Sequence, residues 1–151
     1  MVTMTRTIFS GLIALALLLS PLAQAEQFQQ FGNYQVHYSA VNTSFLTPEV
    51  ATASGITRSR ATAFLNVSVL ELQPDGSTKA VHVPVDGTVS TLSGQAQPLS
   101  FRTLRDGESI YRIATFGIQD GEPMRFELNV SLERNAAPVA VNFMRRLYVD
   151  R

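Results

Sequence analysis

The chain has 151 residues, and its twelve basic and twelve acidic side chains give a formal net charge of zero. That balance excludes the strong electrostatic field with which many proteins attract nucleic acid or anionic membranes. The chain has no cysteine, so disulfides and a lipid-modified cysteine are excluded as well. Every basic residue except Lys79 is an arginine, which either reflects genome composition or supplies planar groups for binding carboxylates and phosphates.

Residues 1–25 have the pattern of a bacterial secretory signal peptide. Arg6 supplies the positive start, Ile8–Leu19 is a short apolar run, and Ala23 and Ala25 are the small residues that precede a cleavage point. We therefore expect cleavage between Ala25 and Glu26. The apolar run of roughly a dozen residues is shorter than the roughly twenty that span a bilayer. A retained membrane anchor is disfavoured, and the mature protein is expected to be soluble in the periplasm.

Cleavage would leave residues 26–151, about the length of a single domain. The segment from Glu26 to Gly32 is a polar, glutamine-rich beginning. From Asn33 to Ala40 polar and apolar residues alternate, which is typical of a β-strand with one buried face. The first regular element is therefore predicted to be a strand that starts near residue 33.

One short helix is predicted after this strand. Thr47 can cap it, Pro48 suits the first helical position, and Glu49 complements the positive end of the helix dipole. Gly55 can end the helix, because glycine readily adopts the left-handed conformation found there. The pattern predicts about two turns of helix.

The remainder of the chain alternates apolar stretches with turn residues. Strands are predicted at Ala63–Leu72, Val81–Val85, Thr88–Leu92, Leu99–Leu104, Ile110–Ile118, Met124–Leu132 and Pro138–Val149. A Pro-Asp-Gly-Ser sequence at 74–77 and Asp-Gly pairs at 86–87, 106–107 and 120–121 are predicted to be the turns between them.

Together these elements predict an all-β fold: an antiparallel, immunoglobulin-like β-sandwich of seven or eight strands with one short helix. A small β-barrel is the alternative. Asp-Gly turns are typical of hairpins, so most strands are expected to pair with their neighbours in sequence.

Three segments resemble a known family of exported proteins. They are Phe45–Ala51, Gly55–Ser59, and Leu104–Glu108 with the adjacent Ile110-Tyr111 pair. In these segments the chain is similar to small exported proteins of Gram-negative bacteria grouped as domain of unknown function 4426, and the similarity covers the whole mature chain. The resemblance implies export and a single domain, and it implies no activity.

The segment 47–60 is the leading candidate for a binding site. Glu49 lies in the predicted helix, and Arg58, Ser59 and Arg60 follow it, so a carboxylate and two guanidinium groups can surround one concave surface. Two arginines suit an acidic group on a ligand or the carboxyl terminus of a partner. The structural alternative is that Glu49 serves the helix dipole and pairs with an arginine, which fixes the helix over an open end of the sandwich.

Arg145 is a further candidate, because it falls on an otherwise apolar stripe of the last predicted strand. Val141, Phe143 and Leu147 share its position in the alternation and are predicted to face the core. A β-bulge or a strand end would explain the arginine. A pocket that it lines, where it binds a ligand, is the functional alternative.

The sequence gives no support for catalysis, a cofactor or a metal site. His37 and His82 are the only histidines, and neither has an acidic neighbour at the spacing of metal ligands. Ser59 and Ser109 lie outside any nucleophile motif. We therefore expect no catalytic residue, no cofactor, no metal and no nucleic-acid partner.

These observations favour a non-enzymatic periplasmic binding module that recognises a protein, a peptide or an envelope component through its helix-bearing end. Two alternatives remain open at this stage. One is a small periplasmic hydrolase or ligand-binding enzyme that uses Glu49 with Arg58 and Arg60, and the other is a purely structural envelope protein.

Overall fold

A computed structural model describes residues 27–151, so the predicted signal peptide and its cleavage point at Ala25 and Glu26 lie outside the described residues. In this range the chain forms ten strands, one α-helix (α1, Pro48–Ser54) and a 3-10 turn at Thr43–Phe45. The strands are β1 Gln27–Phe31, β2 Tyr34–Asn42, β3 Thr62–Leu72, β4 Thr78–Val81, β5 Val85–Thr91, β6 Ala96–Pro98, β7 Arg102–Asp106, β8 Ser109–Gly117, β9 Pro123–Val130 and β10 Val139–Arg146. The all-β prediction is confirmed, with more strands than the seven or eight expected. No helix in the described range is long and apolar enough to cross a membrane.

The strands form two antiparallel sheets. The six-stranded sheet has the order β1-β2-β3-β8-β7, and β4 pairs with the part of β3 that β8 leaves free. The four-stranded sheet has the order β10-β9-β5-β6. Six of the eight strand pairings join consecutive strands, as the turn residues predict. Both sheets have open edges, so residues 27–151 form a sandwich and the barrel alternative is wrong for them.

Alternate residues of the strands fill the space between the sheets. Leu65 of β3 and Phe126 of β9 have no exposed surface. The ring of Phe143 in β10 stacks on Phe126 with 4.7 Å between centroids and on Tyr38 of β2 with 4.3 Å, so these rings join one sheet to the other. Burial of such apolar surface, worth roughly 25 cal/mol for each Å² removed from water, is the main source of stability. The resulting scaffold holds its loops in fixed positions.

Two predictions near β5 are wrong. Asp86 and Gly87, predicted as a turn, lie inside β5. Glycine is required at position 87 because the neighbouring strand lies close: a Cβ atom there would lie 2.4 Å from the Glu127 carbonyl oxygen. The predicted strand Val81–Val85 is divided at Pro84, whose missing N–H cannot join a ladder, and the chain crosses from one sheet to the other there.

Two strands were not predicted at all. The glutamine-rich β1 lies at the edge of the six-stranded sheet beside β2, and β6 is a three-residue strand at the edge of the other sheet. Edge strands form largely through backbone hydrogen bonds to one neighbouring strand, and no side-chain pattern predicts such bonds. Both strands therefore depend on a partner strand rather than on their own composition.

Helix α1 lies on the outer face of the six-stranded sheet. Ala51 and Ile56 are buried, yet they lie outside the apolar cluster between the sheets. Ile56 lines a small cavity with Ile113 of β8, and Ile113 is in register with Asn66 on that outer face. The loops at residues 43–61, 118–122 and 147–151 share one end of the sandwich, which we call the helix-bearing end.

Candidate functional site

Helix α1 begins and ends where the sequence predicts. The Thr47 hydroxyl accepts the Val50 N–H at 3.2 Å, Pro48 occupies the first helical position, and Glu49 lies in the first turn. Gly55 follows the last turn with φ of +65°, and its N–H donates back into that turn. Local residues therefore determine both ends of this helix.

Arg102 of β7 holds the C-terminal end of α1. Its guanidinium group donates a hydrogen bond to the carbonyl oxygen of Ser54, the last helical residue. A Cβ atom on Gly55 would lie 2.6 Å from Arg102 Nη1, so glycine also leaves room for this group. A positive charge is favourable at the C-terminus of a helix because the dipole is negative there. Sequence analysis missed Arg102, which has no local motif and lies far along the chain.

Thr43, in the 3-10 turn, fixes the segment that carries the candidate arginines. Its side chain is fully buried, and its hydroxyl accepts the Ser59 N–H at 2.8 Å and lies 2.9 Å from the Ser59 carbonyl oxygen. The Ser59 hydroxyl in turn accepts the N–H of Ala61 at 3.2 Å. Ser59 is thus held through its backbone and its side chain. Arg58 and Arg60 therefore flank a fixed point.

Arg58, Ser59 and Arg60 line one cavity of about 340 Å³ with Ser44 and Asp150, and we call it the arginine cavity. Arg58 Nη2 donates to the Ser44 carbonyl oxygen at 3.2 Å. The carbonyl oxygen of Arg60 accepts the N–H of Asp150 at 3.1 Å. Two guanidinium groups and one carboxylate give the lining a formal charge of +1. The structure thus brings together three of the five predicted site residues.

The charged groups of the arginine cavity are not paired with one another. Within residues 27–151, neither Arg58 nor Arg60 has a carboxylate oxygen within 4.0 Å; the salt bridge in this range joins Arg151 to Asp120. The hydroxyl oxygen of Ser44 is buried and has no hydrogen-bond partner. Buried polar atoms nearly always have a partner, so this unpartnered hydroxyl is unusual, and the two exposed guanidinium groups are available to a ligand.

The C-terminal residues complete the wall of the cavity. The Val149 N–H donates to Asp120 Oδ1 at 2.9 Å, and Arg151 Nη2 donates to Asp120 Oδ2 at 3.0 Å. The hydrogen bond from Val149, followed by that from Arg151, lowers the pKa of Asp120 because each favours the charged carboxylate. Asp150 lies between these two anchored residues and is thereby held beside Arg60.

Glu49 and Arg145 lie outside this cavity. Glu49 is exposed in the first turn of α1, and within residues 27–151 it forms no salt bridge. Its carboxylate is therefore not brought to the two guanidinium groups, nor is it paired with an arginine. Arg145 is in register with Met124 in an unbroken ladder, so the expected bulge is absent from β10. It lies one residue before the end of that strand, and its Nε is buried without a hydrogen-bond partner.

Large apolar side chains are exposed near the arginine cavity. Phe45, which follows the cavity residue Ser44, is 77% exposed, and Val50 on α1 is 48% exposed. Aromatic residues and arginine are enriched at the centres of protein interfaces. This end of the sandwich therefore exposes large apolar side chains as well as charged groups.

The histidines do not take part in this site. Among residues 27–151 no group of three His, Asp or Glu side chains is placed to hold a metal ion. His82 Nε2 lies 3.0 Å from the Thr103 hydroxyl, and the ring of His37 stacks on Phe28 with 5.0 Å between centroids. Both histidines therefore have structural neighbours on separate parts of the six-stranded sheet.

Comparison with known families identifies the relatives of this chain. The family model described as domain of unknown function DUF4426 matches residues 28–150. The chain belongs to the DUF4426 family. The resemblance predicted from Phe45–Ala51, Gly55–Ser59 and the segment after Leu104 is confirmed, and no curated protein matches.

Solved structures of similar fold include one from the same family. A crystal structure of a DUF4426 protein from Pseudomonas aeruginosa PAO1 has 33% sequence identity and a TM-score of 0.71, covering 85% of this chain and 99% of that one. FetP of uropathogenic Escherichia coli strain F11 has a TM-score of 0.60 at 8% identity, covering 83% and 95%. A copper-bound FetP variant has a TM-score of 0.58 at 8% identity, covering 84% and 92%. At this identity the likeness to FetP concerns the fold alone.

Sequence analysis missed Ser44 and Asp150, which line the cavity, and Asp120, which anchors the C-terminal wall. Ser44 lies immediately before the segment that resembles the family, and the residues around it do not predict that its hydroxyl group is buried. Asp120 belongs to an Asp-Gly pair that predicts a turn and gives no sign of a second role. Asp150 lies at the end of the chain without a motif, so only the folded chain reveals it.

Proposed function

We propose that this DUF4426 protein is a non-enzymatic periplasmic binding module that holds an acidic segment of a partner protein in the arginine cavity. One observation carries the proposal. Arg58 and Arg60 line a concave surface where neither is paired with a carboxylate, beside the unpartnered hydroxyl of Ser44. A carboxylate of the partner would accept hydrogen bonds from the guanidinium groups with one or both oxygens.

Binding of a carboxylate at this cavity requires little rearrangement. Arg58 already donates to the Ser44 carbonyl oxygen, which restricts its side chain and leaves further N–H groups for a ligand. Ser59, between the two arginines, is fixed through Thr43. Groups that are ordered before binding lose less conformational entropy, which favours affinity. The nearby Asp150 carboxylate reduces the net charge and so disfavours densely charged polyanions.

The exposed apolar groups favour a protein partner over a small anion. Phe45 and Val50 present large apolar surfaces at the same end of the sandwich as the arginine cavity. A small anion would leave both in water, whereas a polypeptide can cover them while its acidic side chain pairs with Arg58 or Arg60. The proposed ligand is therefore an acidic segment with an adjacent apolar residue.

The proposed location rests on the signal-peptide pattern of residues 1–25. FetP, which is similar in fold, was expressed in the periplasm for its structure, and one FetP variant is copper-bound. Copper is not part of our proposal, which rests on the arginine cavity. The proposal concerns a protein ligand of an exported domain.

The two alternatives considered from the sequence have less support. A hydrolase that uses Glu49 with Arg58 and Arg60 needs the carboxylate near the guanidinium groups, and Glu49 does not line the arginine cavity. A purely structural role has no use for a concave surface lined by two exposed arginines that form no salt bridge. A binding role uses both guanidinium groups.

Photocross-linking in living cells tests the proposal. The photoreactive amino acid benzoylphenylalanine replaces Phe45, and irradiation is expected to give one major adduct with an envelope protein, which mass spectrometry identifies. Combining this replacement with Arg60→Glu should reduce the adduct by about tenfold or more, because a negative charge then repels the acidic segment. Release of the protein by osmotic shock, with residues 1–25 removed, tests the periplasmic location in the same cells.

The matched control is Arg134→Glu, which makes the same change of charge in the exposed loop between β9 and β10. The adduct should persist in this variant. A second control places the photoreactive residue at Met144, which is 50% exposed on the four-stranded sheet. An adduct that is the same from both positions, or that Arg60→Glu leaves unchanged, would contradict the proposed function.

A further inference from the structure

The outer face of the six-stranded sheet lacks ionic side chains across most of its width. On β1, β2, β3, β4 and β8, the residues that point away from the core include no Asp, Glu, Lys or Arg, and we call this surface the neutral face. Arg102 and Asp106 lie beyond it, on the edge strand β7, and Lys79 and Glu108 border one corner, where they line a cavity with Leu70. The outer face of the four-stranded sheet differs, because Asp86, Arg125 and Glu127 point outward there. The two outer faces of the sandwich are therefore built for different surroundings.

The neutral face also carries groups that a second surface would satisfy. Phe28 of β1 is 52% exposed, and Phe64 and Leu70 of β3 are half-buried on the same face. Asn66 lies at the middle of this face on β3, and its Oδ1 atom is buried without a hydrogen-bond partner. A buried acceptor without a donor is costly, and a surface that supplies an N–H or O–H removes the cost.

We propose that the neutral face is the contact surface of a homodimer, in which two copies of this chain pack face to face about a two-fold axis. Such an axis places one patch opposite the identical patch, so any charge at its centre would meet a like charge. The neutral face avoids this repulsion. Its glutamine, asparagine and serine side chains both donate and accept hydrogen bonds, so identical groups can pair across the axis.

The dimensions of the face agree with a dimer contact. Four strands lie side by side, since β4 and β8 share one edge of β3; at a spacing of about 4.8 Å they make the face roughly 19 Å wide, and the eleven residues of β3 extend about 36 Å. Helix α1 covers one corner near Ile113. The area that α1 leaves uncovered is increased by the uneven surface of the side chains. It approaches the roughly 800 Å² that each partner contributes to a stable interface.

Sedimentation equilibrium of the purified protein tests this proposal. We expect a dimer with a dissociation constant in the micromolar range, and Ser68→Glu should weaken it by about tenfold or more, because it places two carboxylates in the interface. Ser39→Glu on β2 is a second variant on the same face, and circular dichroism establishes that each variant is folded. The matched control is Met144→Glu, which puts the new carboxylate opposite Arg125 on the other sheet. This control should leave the dissociation constant within about twofold.

The outcomes separate the possible occupants of the neutral face. A protein that stays monomeric at several hundred micromolar overturns the proposal, and this includes the case in which another protein covers the face. A dimer that is weakened by Met144→Glu and unaffected by Ser68→Glu and Ser39→Glu overturns it as well. The two tests change different residues and measure different quantities, so failure here leaves the proposed function intact, and the converse also holds.

Discussion

The substitution Thr43→Val tests the physical basis of the candidate site. Valine has nearly the same shape as threonine and replaces the hydroxyl with a methyl group. The lost hydroxyl accepts the Ser59 N–H at 2.8 Å and lies within hydrogen-bond distance of the Ser59 carbonyl oxygen and the Thr62 hydroxyl. The substitution therefore removes the bonds that hold the arginine-bearing segment, and the larger methyl group also pushes against the polar atoms that lie 2.8–3.0 Å from the hydroxyl oxygen.

The expected cost is large because the site is fully buried. Two hydrogen bonds contribute about 1 kcal/mol each, and the Ser59 N–H left without an acceptor costs about 1 kcal/mol more. Thr43→Val should thus lower the free energy of unfolding by about 3 kcal/mol. For a domain of this length the melting temperature should fall by about 10 °C.

Urea unfolding measures this effect. The chain has no tryptophan, so far-ultraviolet circular dichroism is the suitable signal. The urea concentration at the midpoint should decrease, while the slope of the free energy of unfolding against urea stays unchanged. This combination indicates lost stability rather than a changed unfolded state. The matched control is Thr52→Val, since the Thr52 hydroxyl donates to the Pro48 carbonyl oxygen at 2.9 Å on the exposed surface of α1. If the two variants differ by less than about 0.5 kcal/mol, the assigned role of Thr43 is refuted.

Three further predictions follow from the same contacts. Gly87→Ala should destabilise the protein by about 1–3 kcal/mol in urea unfolding, because its Cβ would collide with β9, whereas Gly117→Ala, with nothing within 4 Å, should cost much less. Gly55→Ala should lower the melting temperature more than Gly107→Ala; both glycines have positive φ, but only at position 55 would the added Cβ also meet Arg102. The pKa of Asp120 is lower in the folded than in the unfolded protein. Its contribution to the free energy of unfolding is therefore present above the unfolded pKa of about 3.9 and is lost as the pH falls through the lower folded pKa. Asp120→Asn should therefore destabilise the protein at pH 7 and lose this effect progressively as the pH falls below the unfolded pKa; an effect that does not change with pH in pH-dependent unfolding would contradict it.

Elements specified by adjacent residues were predicted well. The capping residues Thr47 and Gly55 predicted both ends of α1, and the strict alternation of apolar and polar residues from Met124 predicted β9. The prediction failed where a contact across the chain overrides a local preference. An Asp-Gly pair is typical of a turn, yet Gly87 lies inside a strand because the backbone of β9 approaches it too closely for any other residue.

The candidate site was predicted only in part, for the same kind of reason. Arg58, Ser59 and Arg60 are neighbours in sequence, so a loop keeps them together in any fold. Glu49 is close to them in the chain, but the direction in which α1 lies on the sheet leaves its carboxylate outside the cavity. Asp150 joins the cavity from the far end of the chain, and no pattern in the sequence predicts that.

By itself, the sequence determined the strand-rich class, the short helix and the family, because each depends on residues a few positions apart. The tertiary structure alone decided which groups meet: Arg102 with Ser54, Asp120 with Val149, and Asp150 with Arg60. It also decided that one outer face of the sandwich is neutral, since that depends on which strands become neighbours. Such contacts arise from the pairing and stacking of distant strands, whose free energy is shared among many residues and is not encoded at any one position.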